Sequence, residues 1–404
     1  MDFPVRIDGE THWVGVNDRE TDLFESLWPL PRGVSYNSYL ISDEKTVLVD
    51  TVKKVAFERY LDQVRSLLPP GKSIDYLVIN HLEPDHSGSV RLAREAFPGL
   101  QIVGNKRTAE FLAHLYGITD GVKVVGDGEE LDLGRHKLRF YLTPMVHWPE
   151  TMMTYVPSSG ILFSGDAFGG FGALDGSIFD DEVDVDYYDD EILRYFSNIV
   201  AKYSPVVQKA IAKLKGLDIR TICPSHGPVW RKSPARIVGD YDRWSRYEGE
   251  PGVVIAYASM YSHTTEMMEA VARGIAQEQC CTLRVHDVAR THVSYVIRDA
   301  WRYRALIVGG PTYDTGLFPR MSYLIRLLEE KRLKRRIIGV FGTYGWSGGG
   351  VATLREFAKR EDFELVGPVV EARFSPTPED LDNCVLLGRN VVKRLRAARG
   401  GAQQ

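Results

Sequence analysis

Up to about residue 247 the chain alternates short apolar runs with turn residues. The runs at 46–49, 74–79, 138–142, 160–163 and 220–222 have the length and composition of buried strands. Between them, stretches at 56–67, 90–96, 108–115 and 190–215 space their apolar residues as helices with one buried face. The two kinds of element do not alternate one for one, so the pattern predicts a layered α/β domain rather than a simple βαβ repeat. A polar segment at 246–252, holding Gly249, Pro251 and Gly252, reads as a linker. After it the rhythm is regular: strand 253–258, helix 265–277, strands 282–285 and 305–308, helix 320–330, strand 337–341, helix 351–359, an extended segment at 364–372 and a last helix at 378–399. Five strands with helices between them predict a doubly wound parallel sheet. The expected domains are 1–248 and 252–400, and no internal repeat links them.

Composition agrees with this division. A chain of 404 residues exceeds what one core usually serves. With 44% hydrophobic and 26% charged residues and a net charge of -4, it reads as a soluble globular enzyme and not as a nucleic-acid binder. The dense positive run at 331–336 trails the amphipathic segment 321–328 and is a solvated helix end. Four cysteines occur, Cys223, Cys280, Cys281 and Cys384, with no Cys-x-x-Cys spacing, which argues against zinc ribbons, rubredoxin-type iron sites and a disulfide framework. The first thirteen residues include Asp2, Arg6, Asp8 and Glu10, and no later stretch is apolar for the roughly 18 residues a membrane helix needs. A reducing, cytoplasmic setting without a membrane partner is expected.

The candidate chemistry lies where strands end. His81, Glu83, Asp85 and His86 occupy the string NHLEPDHSG, directly after the strand at 74–79. Along an extended turn, residues 81, 83 and 85 would point one way and His86 the other, so a single turn could serve two adjacent cations. The plain alternative is a polar loop with a helix cap. His147, Asp166 and His226 follow three further strands, and all lie beyond carboxyl ends, where open α/β sheets place their sites. His12, His114, His136, His286 and His292 lack such company and read as surface or packing residues. Cys223 ends an apolar strand and reads as a buried, inert thiol.

This spacing resembles the metallo-β-lactamase superfamily, whose usual string has His where this chain has Glu83, followed by Asp85 and His86. A carboxylate in that place makes a harder, more anionic site that favours iron or manganese over zinc, with Asp166 able to bridge two ions. In this the motif resembles that of flavodiiron proteins. The resemblance implies that His81, Glu83, His147 and bridging Asp166 bind one iron, and Asp85, His86, His226 and Asp166 the other.

In the second half, the first strand runs into Ser259, Met260, Tyr261, Ser262, His263 and Thr264, and a helix follows. Backbone N–H groups at a helix start, with the hydroxyls of Ser259, Ser262 and Thr264, can bind a monophosphate without any cationic residue. A cap alone is the plain alternative. Gly309, Gly310, Pro311, Thr312, Tyr313 and Asp314 follow the third strand, and Gly342, Thr343, Tyr344, Gly345, Trp346, Ser347, Gly348 and Gly349 follow the fourth, on the same sheet edge. Glycines let backbone approach a flat ring, and Tyr313, Tyr344 and Trp346 offer faces for stacking.

This half resembles flavodoxin, and its loops resemble those of flavodiiron proteins, so the likeness extends over both halves. It implies an N-terminal αββα metallo-β-lactamase-like domain and a five-stranded flavodoxin-like domain holding FMN. One departure stands out: Ser262 and His263 replace the Gly-Asn frequent in the family's phosphate loop, which leaves open whether 263 meets phosphate by side chain or backbone. The implied activity is reduction of oxygen to water or of nitric oxide to nitrous oxide at two irons, with FMN feeding them electrons. Without a Cys-x-x-Cys pair or a module after 399, electrons are expected from an external donor, a separate rubredoxin or a reduced deazaflavin coenzyme. Because the two loop sets belong to different domains, the resemblance also implies a head-to-tail homodimer, with a dimer of dimers as a further assembly. Trp148 and Trp346 are then candidates to lie between the cofactors; core packing is the other reading of Trp148. A zinc-dependent hydrolase fused to a flavodoxin-like carrier is the competing class, and Glu83 with the flavin loops argues against it.

Overall fold

The computed structural model describes residues 3–279 and 281–400. Met1, Asp2, Cys280 and the residues after 400, which entered the reading of the termini and the cysteines, lie outside them. The chain divides into two compact units, Met1–Asp242 and Arg243–Gln404.

In the first unit seven strands form one sheet in chain order: β1 (Val5–Arg6), β2 (Thr11–Trp13), β3 (Tyr39–Ile41), β4 (Val47–Val49), β5 (Tyr76–Val78), β6 (Gln101–Gly104) and β7 (Val122–Val124). Neighbours are antiparallel up to β4 and parallel from there on. A second sheet holds β8 (Glu130–Asp132), β9 (Lys137–Leu142), β10 (Met152–Val156), β11 (Ile161–Gly165) and β12 (Thr221–Pro224), with only its last pair parallel. Both β10 and β11 are buried at every position, which is why their sequences run apolar without alternating. Helices complete the αββα arrangement. Among them α1 (Phe57–Leu67) buries Phe57, Tyr60, Leu61 and Val64, the spacing of one helical face. After the short α2 (Val90–Ala96), α3 (Lys106–Tyr116) starts on a reciprocal cap between Asn105 and Thr108 and stops at Gly117, whose φ of 64° suits glycine.

The single helix expected at 190–215 is two, α4 (Val185–Tyr195) and α5 (Ser204–Leu214), joined by a π-helical turn at Phe196–Val200 and a 3-10 turn at Ala201–Tyr203. Pro205 is the cause, since a ring without an N–H cannot extend the ladder of the preceding turns. The last helix to begin in this unit is α6 (Pro234–Ser245), whose final three residues fall past the division.

The second unit is a parallel sheet of β13 (Glu250–Tyr257), β14 (Thr282–Asp287), β15 (Tyr303–Tyr313) and β16 (Ile337–Tyr344), ordered β14-β13-β15-β16. Its fifth position is shared by β17 (Glu364–Leu365) and β18 (Val370–Arg373), both parallel to β16. The extended segment expected at 364–372 is thus interrupted, at a stretch containing Pro368, which has no N–H to give a ladder. Residues 250–252, read as linker, already belong to β13, and the buried Arg336 guanidinium donates to the carbonyl oxygens of Tyr247, Ala300 and Trp301.

Five helices flank this sheet: α7 (His263–Gln277), α8 (Val293–Arg302), α9 (Pro319–Glu330), α10 (Gly350–Arg360) and α11 (Pro378–Gly400). Val253, Ile255, Ala305 and Ile307 pack with Val271 and Ile275 of α7 and Leu387 and Val391 of α11. The two helices cross closely: a Cβ on Gly274 would stand 2.1 Å from the Val385 carbonyl oxygen, and one on Gly388 2.3 Å from that of Val271. Among the described residues no helix is long and apolar enough to cross a membrane.

Candidate metal centre and flavin pocket

Loops after β5, β9, β11 and β12 bring the seven candidate ligands of the first unit together in two groups. His81, Glu83, His147 and Asp166 form one, and Asp85, His86 and His226 the other, with the ligand atoms of each within 4.8 Å of one another. Asp166 faces both. Its Oδ2 lies 3.0 Å from His147 Nε2 and 3.3 Å from His81 Nε2, while its Oδ1 lies 3.0 Å from His86 Nε2. Glu83 Oε2 is 3.1 Å from His147 Nε2, and Asp85 Oδ2 is 3.3 Å from His86 Nε2 and 3.2 Å from His226 Nε2.

The extended-turn reading of this string is wrong in one respect. Residues 84–87 form a single helical turn begun by Pro84, with Glu83 just before it. The turn carries Asp85 away from His81 and Glu83 and sets it beside His86 instead.

The site is dry. His81, His86, Asp166 and His226 are fully buried and Glu83 and His147 nearly so. Asp85 Oδ1 and Oδ2, His86 Nε2, Asp166 Oδ1 and His226 Nε2 are buried without a hydrogen-bond partner. Buried polar atoms of this kind cost free energy unless something satisfies them, and a pair of cations would do so here. Burial opposes charge on the imidazoles, but Asp166 with Glu83 and Glu150 raises the pKa of His81 well above its ordinary value, and carboxylates hold His86 and His147 at about 9. Burial also opposes charge on Asp166, and the surrounding histidines keep its carboxyl well below its usual range. These shifts favour protonated imidazoles beside ionised carboxylates when no cation is bound, so cations would compete with protons at this site.

Sequence reasoning missed several supporting residues. Glu150, fully buried, accepts from His81 Nδ1–H at 2.8 Å and from the Leu82 N–H at 2.9 Å. Asp50 accepts from the Asn80 N–H at 2.8 Å, and burial lifts its carboxyl to about 6 against the pull of His86 and these N–H groups. Glu25, in the hairpin of Leu23–Phe24 and Trp28–Pro29, has its pKa raised by burial and by Glu83. Tyr195, the last residue of α4, is fully buried with no partner for its hydroxyl, its ring 5.6 Å from that of His226. Trp148, already singled out from the sequence, is half-buried and sets its ring at 84° to that of His81, 5.3 Å away.

The remaining histidines stand apart, as expected. His286 pairs with Asp299 at 2.8 Å, His292 caps α8, and His136 contacts Ser158. Burial pushes the Cys223 thiol well above its ordinary pKa.

In the second unit a cavity of about 370 Å³ opens at the carboxyl ends of β13, β15 and β16. Its lining includes Met260, Tyr261, His263, Pro311, Thr312, Tyr313, Asp314, Thr343, Tyr344, Gly345, Trp346 and Ser347, together with Thr315 and Phe374, which sequence reasoning missed. Ser259, Ser262, Thr264, Gly348 and Gly349 are not in the lining. Thr264 and Thr343 join the first and third loops through hydroxyls 3.0 Å apart, and Ser262, with φ 72°, turns the chain into α7. Gly349 has φ 149° and leaves no room for a Cβ, which would meet the Thr315 carbonyl oxygen at 2.1 Å. Ser259 Oγ and His263 Nδ1 are buried and without hydrogen-bond partners. A helix start, orphaned polar atoms and a cavity lined in part by Tyr261, Tyr313, Tyr344, Trp346 and Phe374 fit a phosphate joined to a flat ring.

Comparison with known proteins gives this architecture its family. Residues 34–227 match the family described as ODP family beta lactamase, and residues 255–388 match flavodoxin. A nitric oxide reductase of Moorella thermoacetica is 36% identical over 98% of this chain and 100% of its own length. The solved rubredoxin oxygen:oxidoreductase of Desulfovibrio gigas superposes with a TM-score of 0.93 at 31% identity, covering 98% of this chain and 99% of that one. The flavodiiron protein of Giardia intestinalis gives 0.93 at 28% identity, over 99% and 98%. The chain belongs to the flavodiiron proteins, as an oxidoreductase with FMN and a diiron centre.

Proposed function

We propose that this protein reduces oxygen to water, nitric oxide to nitrous oxide, or both, at two irons: one held by His81, Glu83, His147 and Asp166, the other by Asp85, His86, His226 and Asp166. What carries the reading is the sorting of seven residues from distant loops, six of them buried and Asp85 half-buried, into two groups with one oxygen of Asp166 toward each. When bound, FMN takes up electrons and passes them on, and the iron pair binds and reduces the small substrate. The protein's own part is to hold the ligands, to exclude water and to limit the site to small molecules.

In the flavin pocket, we assign the phosphate to the start of α7 with Ser259 and Thr264, and the ring to Tyr313, Tyr344 and Trp346. Trp346 and Tyr261 on its rim are 86% and 81% exposed, which supports a head-to-tail homodimer that covers them and brings the FMN of one protomer to the irons of its partner. Electrons come from outside the chain. A rubredoxin is favoured by the name of the Desulfovibrio relative, and a reduced deazaflavin coenzyme is the other donor considered. The domain limits 1–248 and 252–400 and a cytoplasmic location belong to the same proposal.

The test is metal and flavin analysis of the purified protein, followed by anaerobic turnover with each donor and each acceptor in parallel. About two irons and one FMN per chain with reductive turnover are expected. Two zinc ions with hydrolase activity instead would sink the proposal.

A further inference from the structure

His81 and His226 each supply one imidazole to a different group, but their outer nitrogens meet unlike partners. His81 Nδ1–H donates to the carboxylate of Glu150 at 2.8 Å. His226 Nδ1–H donates to the neutral carbonyl of Ser35 at 2.7 Å, and His86 Nδ1 is buried with no hydrogen-bond partner. Glu150 is firmly set: its side chain is fully buried, it also accepts from the Leu82 N–H, and its own carbonyl accepts from Asn105, the cap of α3.

The surroundings repeat this contrast. Glu25 lies toward Glu83 and His147, on the Glu150 side. The ring of His226 is instead surrounded by Phe24, Tyr36 and Tyr195 at 5.5, 5.9 and 5.6 Å. Asp50 faces both His86 and His81, so its charge bears on both positions.

A histidine that shares its N–H with a buried carboxylate is a more basic ligand through its other nitrogen, and extra negative charge in a dry site favours the higher charge on the metal. We propose that the two iron positions are unequal, with Glu150 as the positioning residue that makes them so. The ion at His81, Glu83, His147 and Asp166 is the more tightly held and the first to become ferric. When the diferrous pair gives one electron to a mediator in solution, that electron leaves this ion. The inference rests on the ligand assignment proposed above.

The experiment uses the full-length protein loaded with isotopically enriched iron and FMN. Glu150→Gln keeps the shape and an acceptor oxygen but removes the charge; Glu150→Ala removes both. Chelator competition and a mediated redox titration followed by Mössbauer and electron paramagnetic resonance spectroscopy give readouts independent of turnover. Flavin content and circular dichroism report folding. In Glu150→Gln, one of the two ions is expected to bind about 10- to 100-fold more weakly while the other is unchanged. The midpoint of the first iron oxidation shifts positive, and that of FMN does not move. Glu150→Ala shifts the same quantities in the same direction by more. Unchanged iron binding and midpoint in folded Glu150→Gln, or equal weakening of both ions, would overturn the inference while leaving the ligand assignment intact. Wild-type protein without two irons would overturn the assignment and the inference with it.

Discussion

Asp166 sets its Oδ1 3.0 Å from His86 Nε2 while its other oxygen belongs to the neighbouring group. One carboxylate thus serves both positions, and its removal affects each. Asp166→Ala is expected to deplete both irons by more than the about 10- to 100-fold that loss of an outer-shell partner costs, and to abolish turnover. The second unit has its own core, so the flavin spectrum survives. Iron and flavin per chain check this, and retained iron would refute the bridging role.

Ser259 has a buried hydroxyl with no partner at the end of β13. If it meets the phosphate, Ser259→Ala removes a hydrogen bond to a charged group, about 1.5–3 kcal/mol, or roughly 10- to 150-fold in FMN affinity. Titration of the flavin-free protein with FMN, followed by flavin fluorescence, measures it. Unchanged affinity removes Ser259 from the site.

Gly274 has no space for a side chain where α7 crosses α11. Gly274→Ala forces the helices apart and should cost about 1–3 kcal/mol, as overpacking does. Calorimetry is expected to show a lower unfolding temperature, with iron content unchanged. An unaltered transition would show that the crossing relaxes freely.

Asp299 accepts from His286 Nε2 and from Arg298 Nε, each at 2.8 Å. Burial alone would raise its carboxyl pKa, but these donors outweigh burial and lower it. A carboxyl with a depressed folded pKa contributes stability that is complete above its unfolded value, about 3.9, and is lost as pH falls through the folded value. Stability of the second unit should therefore decline on acidification through that window, and Asp299→Asn should flatten the decline. Denaturant melts at a series of pH values test this; parallel curves for variant and wild type would contradict it.

The strand-end loops were legible because buried parallel strands leave unbroken apolar runs, after which polar residues such as those of NHLEPDHSG stand out. The partition of that string was not legible, because it depends on Pro84 starting a helical turn that rotates Asp85 from one group to the other. Glu150 left no local signal: its tie to His81 spans 69 positions and exists only once the loops after β5 and β9 meet. Phe374 was hidden likewise, since it reaches the flavin pocket only where β18 ends, beyond the interruption at Pro368. The break within 190–215 could have been read from Pro205, but the apolar spacing on either side concealed it.

Glu83 occupies the cap position of its helical turn without forming a cap hydrogen bond. The turn is secured without the Glu83 side chain, through the His86 and Ser87 N–H groups and the Ser87 hydroxyl on the Glu83 carbonyl and the Gly88 N–H on that of Pro84. The side chain at 83 therefore owes nothing to the architecture that carries it. A substitution at 83 would change the charge offered to a cation while leaving the turn that carries it hydrogen-bonded as before.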